Sequence, residues 1–343
     1  MANILFFHPY NDYTGSTRVL SNIIESDFSS QHVNVITIDN NKGFLSDNDK
    51  IHIVKIFYFQ HKGRNIPLLT ALLWRTHAVY LALRYGLKSD VFYINTILPA
   101  YAAIVAMLCR KKIIYHVHEK FIHRSFYIKV AEFVFNHVDA KRIYVSKYLM
   151  KQYKNRCSCE SFVKYNKLPK SFLSQVKITP VELHKRNRII MITSLNKAKG
   201  IFTYITVAKE MPNYTFQLLI SADIDKISTF LSGVDVPENL KIIPSQKNIH
   251  PYLQSSDLLL NLSIPQFCIE TFGMTILEAM VYGIPAIVPN VGGPLELVTH
   301  GYNGFCVNVT DIEEIKSKIK YVLDKDNYEK LFKHAIKKAA DFI

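Results

Sequence analysis

Cysteine is scarce in this sequence and badly spaced for a metal or a disulfide framework. There are five, an odd number with no C-x-x-C pair, and Cys157-Ser158-Cys159 is too tight for an ordinary zinc site. A reducing compartment is the expectation that follows. Long apolar runs are missing as well. The longest, from Ile97 to Cys109, has Pro99 inside it, and the stretch from Leu68 to Leu83 is broken by Arg75, Thr76 and His77. A membrane-spanning helix needs about 20 apolar residues, so none is expected. The opening Met1-Ala2-Asn3 before Ile4-Leu5-Phe6-Phe7 has neither the basic nor the long apolar region of a secretory leader, and it reads as a first buried strand. G-x-G-x-x-G and the Walker A pattern are both absent, which argues against a hydride-transfer cofactor. No nucleic-acid motif is present, so nucleic acid is not an expected partner.

Acidic residues are few in one half only. Residues 1–175 hold 24 Lys and Arg against 11 Asp and Glu, whereas residues 176–343 hold 18 against 17. An excess confined to one half points to an anionic partner for that half, such as a phospholipid surface. Otherwise the composition, 49% hydrophobic and 20% charged, is that of a folded globular protein, and 343 residues leave room for two domains.

Short runs rich in Val, Ile, Phe and Tyr alternate with helix-length segments throughout the chain. Strands are expected near Ile4–Phe7, Val33–Ile38, Ile51–Ile56, Val91–Asn95, Ile113–Val117 and Arg142–Val145. In the second half they are expected near Arg188–Thr193, Phe216–Ile220, Leu240–Ile243, Leu258–Leu262, Pro285–Val288 and Phe305–Val307. Such alternation predicts α/β architecture with parallel sheets covered by helices on both faces. It occurs twice, separated by a polar, proline-punctuated stretch from about Lys167 to Lys185. The expectation is two tandem doubly wound Rossmann-like domains facing a central cleft, residues 1–175 and 176–327. A last helix, about 328–343, is expected to pack back onto the first domain.

Ligands of such folds sit beyond the carboxyl ends of the strands, so the strand-end loops are where chemistry is expected. After the first strand, the turn His8–Arg18 opens a helix with Gly15 and Ser16 at its start and Arg18 in its first turn. After the fifth, His118-Glu119 lies where the strand should end; taken alone, His118 reads equally well as a core histidine or a site residue, and no third ligand completes a metal site. In the second half, Lys199-Gly200 precedes a helix, where a lysine could pair with a diphosphate or simply be solvated. The richest stretch is C-I-E-T-F-G-M-T-I-L-E-A-M-V-Y, Cys268 to Tyr282. It sets Glu270 and Glu278 around Phe272-Gly273-Met274-Thr275, with Thr275 in a first-turn or capping position for the helix carrying Glu278.

That stretch, with G-I-P-A-I-V behind it, resembles the E-x7-E signature of retaining glycosyltransferase family four, whose architecture is called GT-B. Lys199-Gly200, V-G-G-P-L-E-L-V, Asn303-Gly304-Phe305, Val145-Ser146, Tyr165-Asn166 and His118-Glu119 follow in the family's order. The resemblance implies transfer of a sugar from a nucleotide-diphosphate-sugar to a glycan acceptor, lipid-linked or polysaccharide, as in lipopolysaccharide or capsule biosynthesis. Retention of configuration without a bound metal or other cofactor is implied too. Glu270 and His118 would be the catalytic residues, with Glu270 flanking the reacting carbon and His118 facing the transferred sugar. Lys199 would neutralise the diphosphate. Phe272, Gly273, Met274 and Thr275 would offer backbone N–H groups, Glu278 would hold the ribose, and Gly15 and Ser16 with Arg18 would line the donor and acceptor side of the first domain. Two departures stand out: Ser194 occupies the place of a second diphosphate-binding Arg, and Gly15-Ser16 replaces Gly-Gly. A non-catalytic partner subunit or a sugar-nucleotide epimerase are the competing readings. A cytoplasmic protein attached at the inner face of the membrane through its basic half is the expected setting.

Overall fold

The computed structural model describes residues 2–28, 31–39, 43–57, 68–122, 125–153, 159–178 and 187–343. Two compact units result, Met1–Lys164 and Tyr165–Ile343. The division falls before the expected 175/176 boundary, because residues 165–178 pack with the second unit: the Tyr165 ring meets Phe272 and Phe342, and Phe172 meets His250. Residues 179–186 of the expected linker lie outside the described residues, as do Cys157 and Ser158.

The first unit is built on seven parallel strands: β1 (Ile4–Asn11), β2 (Val33–Asp39), β3 (Ile51–Lys55), β4 (Val91–Asn95), β5 (Lys112–Val117), β6 (Lys141–Tyr144) and β7 (Ser161–Val163). They are ordered β3-β2-β1-β4-β5-β6-β7. The central strands are apolar almost throughout, and every residue of β4 is buried, because helices cover both faces. Two features differ from expectation. β1 runs on through His8 to Asn11, its register slipping between Phe7 and Tyr10 where Pro9 can donate no ladder bond. β7 carried no legible signal, being three half-buried residues.

The second unit repeats the plan with β8 (Arg188–Thr193), β9 (Thr215–Ile220), β10 (Leu240–Ile243), β11 (Leu258–Leu260), β12 (Ala286–Pro289) and β13 (Gly304–Val307). Their order is β10-β9-β8-β11-β12-β13, all parallel. Strand order reverses direction between β8 and β11, so the loops leaving those strands diverge and open a crevice. The helix Ile312–Leu323 shows how its covering layer is specified. Asp311 caps it by accepting from the Glu314 N–H at 2.9 Å, and Ile315, Ile319, Val322 and Leu323 repeat at helical spacing on the buried side.

The C-terminal helix, Lys325–Ala339, belongs to the second unit. Tyr328 and Leu331 enter that unit's core. The Phe332 ring occupies the space where a Cβ on Gly283 would stand, 2.4 Å from the ring. Phe342 then closes against Tyr165 at 5.0 Å. Tyr328, Leu331, Ala335 and Ala339 thus form an ordinary core stripe along this helix.

Candidate active site

Three neighbouring strands of the second unit deliver the site. Lys199 comes from the turn after β8, Glu270 from the loop after β11, and Gly292-Gly293 from the loop after β12. The β8 turn is a single 3-10 turn, Lys197–Lys199, capped by the Asn196 side chain, which accepts from the Ala198 N–H at 2.9 Å. Gly200 follows at φ +78°, and a Cβ there would stand 2.1 Å from the Leu262 carbonyl oxygen. Only glycine satisfies both the left-handed backbone and that close approach. The Ile264 N–H donating to the Ala198 carbonyl at 2.8 Å holds the two loops together from the other side.

The loop carrying Glu270 is fixed in turn by the glycine pair. Gly293 N–H donates to the Glu270 carbonyl oxygen at 2.9 Å, and a Cβ on Gly293 would stand 2.0 Å from the Thr271 carbonyl. So clamped, the Glu270 carboxylate accepts from the Lys199 ammonium at 2.9 Å, both side chains about four-fifths buried. Burial alone would push the Glu270 carboxyl up; Lys199, Asn261 and the Thr271 N–H outweigh it and hold it below the usual range. Glu270 raises Lys199 above its ordinary value, against burial, with Cys268 adding to the effect. A fixed cation and a fixed carboxylate thus lie side by side at the carboxyl ends of the central strands.

The rest of the signature falls where its chemistry can be read. Phe272 is buried among the rings of Tyr165 and Phe342, and the Tyr165 hydroxyl donates to Glu296 at 2.7 Å. Gly273, at φ +105°, caps the helix Met274–Met280, and of the two positions expected for Thr275 it takes the first-turn one, half-buried. Glu278 sits on that helix at 1% exposure, its charge raising the nearby Tyr282 hydroxyl further after burial has done so. Ser194 is exposed, and the nearby Lys197 lies with its ammonium 5.9 Å over the Phe202 ring.

In the first unit, Gly15 begins the helix Gly15–Asp27, and a Cβ on it would meet nothing within 4 Å, so neither backbone nor packing demands glycine there. The Ser16 carbonyl accepts from the Asn95 side chain at 3.3 Å. Arg18 stacks over Phe44 at 5.8 Å. His118, at the end of β5, is buried and bonded through Nε2 to Asn95 Oδ1 at 2.7 Å. Sequence reading passed over Asn95, His8, Asp12 and Asn261. The strand-end rule that singled out His118 applies equally to Asn95, the last residue of β4, and would have found it.

Residues 177–340 match the family model described as "Glycosyl transferases group 1". Among curated proteins, the chain is similar to a sucrose synthase of Melioribacter roseus, 40% identical over 21% of this chain and 10% of that one. It is also similar to the N-acetyl-alpha-D-glucosaminyl L-malate synthase of Bacillus anthracis, 31% identical over 36% of this chain and 32% of the relative. The chain thus spans a tenth to a third of the length of these relatives. Among solved structures, Anabaena HepE in complex with UDP and glucose superposes with a TM-score of 0.82 at 20% identity, covering 100% of this chain and 96% of that one. The likeness extends over both units, and it is a likeness of fold. Residues 177–340 are thus similar to the group 1 glycosyl transferases, and the chain has the GT-B fold.

Proposed function

We propose that the protein is a glycosyltransferase that moves a hexosyl group from a nucleotide-diphosphate-sugar to a glycan acceptor, with retention of configuration. The Lys199–Glu270 pair carries this reading. Breaking the sugar–diphosphate bond leaves negative charge on the diphosphate and an oxocarbenium-like sugar. Lys199 is a preorganised cation for the first, and Glu270, held ionised by the same contact, is a carboxylate for the second. Glu278 and the Phe272–Thr275 backbone complete the donor site, taking the ribose and the phosphates, and His118 of the first unit is the second catalytic residue of this reading. The UDP and glucose in the Anabaena structure support a nucleotide-sugar as the co-substrate.

Release of nucleoside diphosphate from a panel of nucleotide-sugars, with and without lipid-linked glycan acceptors, tests the reaction. Turnover of one donor that requires an acceptor and persists in EDTA is expected. Isomerisation of the donor without acceptor would make the protein an epimerase, and no turnover of any donor with any acceptor would favour a non-catalytic subunit.

The acceptor's setting is read from the first unit. Its helices Leu68–Gly86, Ala100–Leu108 and Phe126–His137 pack side by side, and their outer faces leave large apolar side chains in water. Phe126 is 83% exposed, Leu108 72% and Phe133 62%, with Tyr80, Ile104 and Met107 beside them. Arg84, Lys88, Arg110 and Lys129 are exposed on or next to the same helices, with Lys111 half-buried beside Arg110. Apolar side chains ringed by cations match the interface of an anionic bilayer, where acyl chains and headgroups lie within a few ångströms of one another. No helix among the described residues is long and apolar enough to cross a membrane, so the attachment is peripheral, at the face where lipid-linked glycans are assembled. Co-sedimentation should show binding to phosphatidylglycerol vesicles that weakens with salt and is reduced about tenfold in Phe126→Ser/Phe133→Ser. Equal binding to neutral and anionic vesicles at low salt would contradict it.

A further inference from the structure

Three rings from distant parts of the second unit meet at the loop that carries Glu270. Tyr165 opens the unit, and Phe342 lies in the 3-10 turn Ala340–Phe342. Phe272 comes from the Glu270 loop itself. The Tyr165 and Phe342 rings lie 5.0 Å apart, and Phe272 lies 6.0 Å from the first and 6.1 Å from the second. Their tilted and edge-on pairings are those that aromatic rings prefer. Phe272 and Phe342 are buried and Tyr165 is half-buried. The Tyr165 hydroxyl donates to Glu296 Oε2 at 2.7 Å. Burial and then this carboxylate raise the hydroxyl above its ordinary value, so it keeps its proton and the direction of the bond is fixed.

One residue thereby touches two loops. The Tyr165 ring packs on Phe272, in the loop after β11, and its hydroxyl holds Glu296, in the short helix Pro294–Leu297 after β12. The same two loops also meet through backbone. Gly293 N–H donates to the Glu270 carbonyl oxygen, and a Cβ on Gly293 would stand 2.5 Å from the Phe272 nitrogen. Glycine brings no side-chain area to that contact, so it permits the close approach but adds little resistance to sliding. Interlocked side chains resist sliding, and Phe342 supplies the third of them. It touches both Tyr165 and Phe272, and the Lys338 ammonium lies 5.4 Å over its ring. The Glu296 N–H returns to the Gly293 carbonyl oxygen at 3.0 Å, so a shift of Glu296 is felt at the glycine pair.

We infer that Tyr165 and Phe342 are positioning residues for the donor site, holding the Glu270 loop and the Gly292-Gly293 loop in one arrangement through Phe272 and Glu296. The consequence for the donor rests on the proposed glycosyltransferase reading; the hold on the two loops does not. Phe272 stands between Glu270 and Gly273, and Gly273 starts the helix that carries Glu278. A displaced Phe272 therefore moves those groups together. Loops held by backbone contact alone would have to be ordered by the donor, at the expense of binding free energy. Loss of the hold thus weakens donor binding, while a bound donor restores the arrangement in which turnover occurs. A plain core role for the rings has a different consequence: stability would fall with no selective effect on the donor.

Tyr165→Phe keeps the ring and deletes only the hydroxyl, so the fold survives in it. Its KM for the donor should rise about tenfold, equivalent to about 1.4 kcal/mol, with kcat changed by less than about threefold. Phe342→Ala should act in the same direction, and Phe342→Leu should recover most of the loss. Ile319→Val, a buried core position on the helix Ile312–Leu323, is the control: Tm should fall and KM should not move. Hydrogen exchange, read on peptides covering 268–276 and 290–297, decides the hold on the loops without any donor. Both segments should exchange about tenfold faster in Tyr165→Phe and Phe342→Ala, but not in Ile319→Val. Unchanged exchange in either segment, or equal acceleration in Ile319→Val, would overturn the hold. Faster exchange with an unmoved donor KM would overturn its role in donor binding. Absence of turnover in the wild type would overturn the glycosyltransferase reading instead, and exchange would still decide the hold.

Discussion

Lys199→Ala is expected to lower kcat/KM for the nucleotide-sugar by about a hundredfold or more. In the proposed reaction the diphosphate leaving group needs a cation already in place, and Lys199 is held by the central loops beside Glu270. Ser194, standing where a second cation would be expected, offers no reserve, and Lys197 is turned over Phe202. Glu270→Gln should separate the two members of the pair. The amide keeps the shape of the carboxylate, so donor binding should change little, whereas turnover should fall about a hundredfold, because the charge facing the sugar is gone. Steady-state kinetics of the two variants check this. A loss within about threefold in both would mean that the pair is a structural ion pair and that the chemistry lies elsewhere.

Gly200→Ala is expected to cost about 3 kcal/mol of stability, read as a loss of roughly 5–10 °C in Tm. Two penalties combine: a left-handed φ of +78° and a Cβ 2.1 Å from the Leu262 carbonyl oxygen, a backbone atom that cannot swing away. Gly233 supplies the control. It has φ +76° with nothing within 4 Å of a Cβ, so Gly233→Ala pays for the backbone conformation alone and should cost about 1 kcal/mol. The Gly200 substitution should also weaken donor binding, since relief of the clash moves the Lys199 turn away from the loop that carries Glu270. Equal Tm losses in the two variants would show that the Leu262 contact yields without cost.

The fold was legible because both sheets are parallel and buried on both faces. Segments such as Val91–Asn95 and Arg188–Thr193 are continuous apolar runs with helices between them, and they fall where the pattern puts them. Short or half-buried elements were not legible: β7 has no apolar face to advertise it, and His250–Gln254 is a single helical turn. The reach of β1 past Pro9 depends on a register slip that composition does not encode. At the candidate site, Lys199 and Glu270 could be named because their spacing to Gly200 and Glu278 is local. Their meeting, 71 residues apart, could not be read from spacing, since it depends on β8 and β11 being neighbours. Asn95 and His8 stayed hidden for the same reason, being 87 residues apart and joined only by the pairing of β1 with β4. The apolar residues of the C-terminal helix specify burial but not the partner. Gly283, by lacking a side chain, makes room for Phe332 and so determines it.

The central claim is that the Lys199–Glu270 pair receives a nucleotide-diphosphate-sugar. The most direct measurement is thermal denaturation of the wild type and of Lys199→Ala against a panel of nucleotide-sugars at saturating concentration. The wild type should be stabilised by several degrees by one donor or one family of donors sharing a base, and the variant should lose most of that shift while unfolding cooperatively on its own. A panel that leaves the wild type unmoved, or a donor that stabilises both proteins equally, would contradict the assignment of this pair as the donor site.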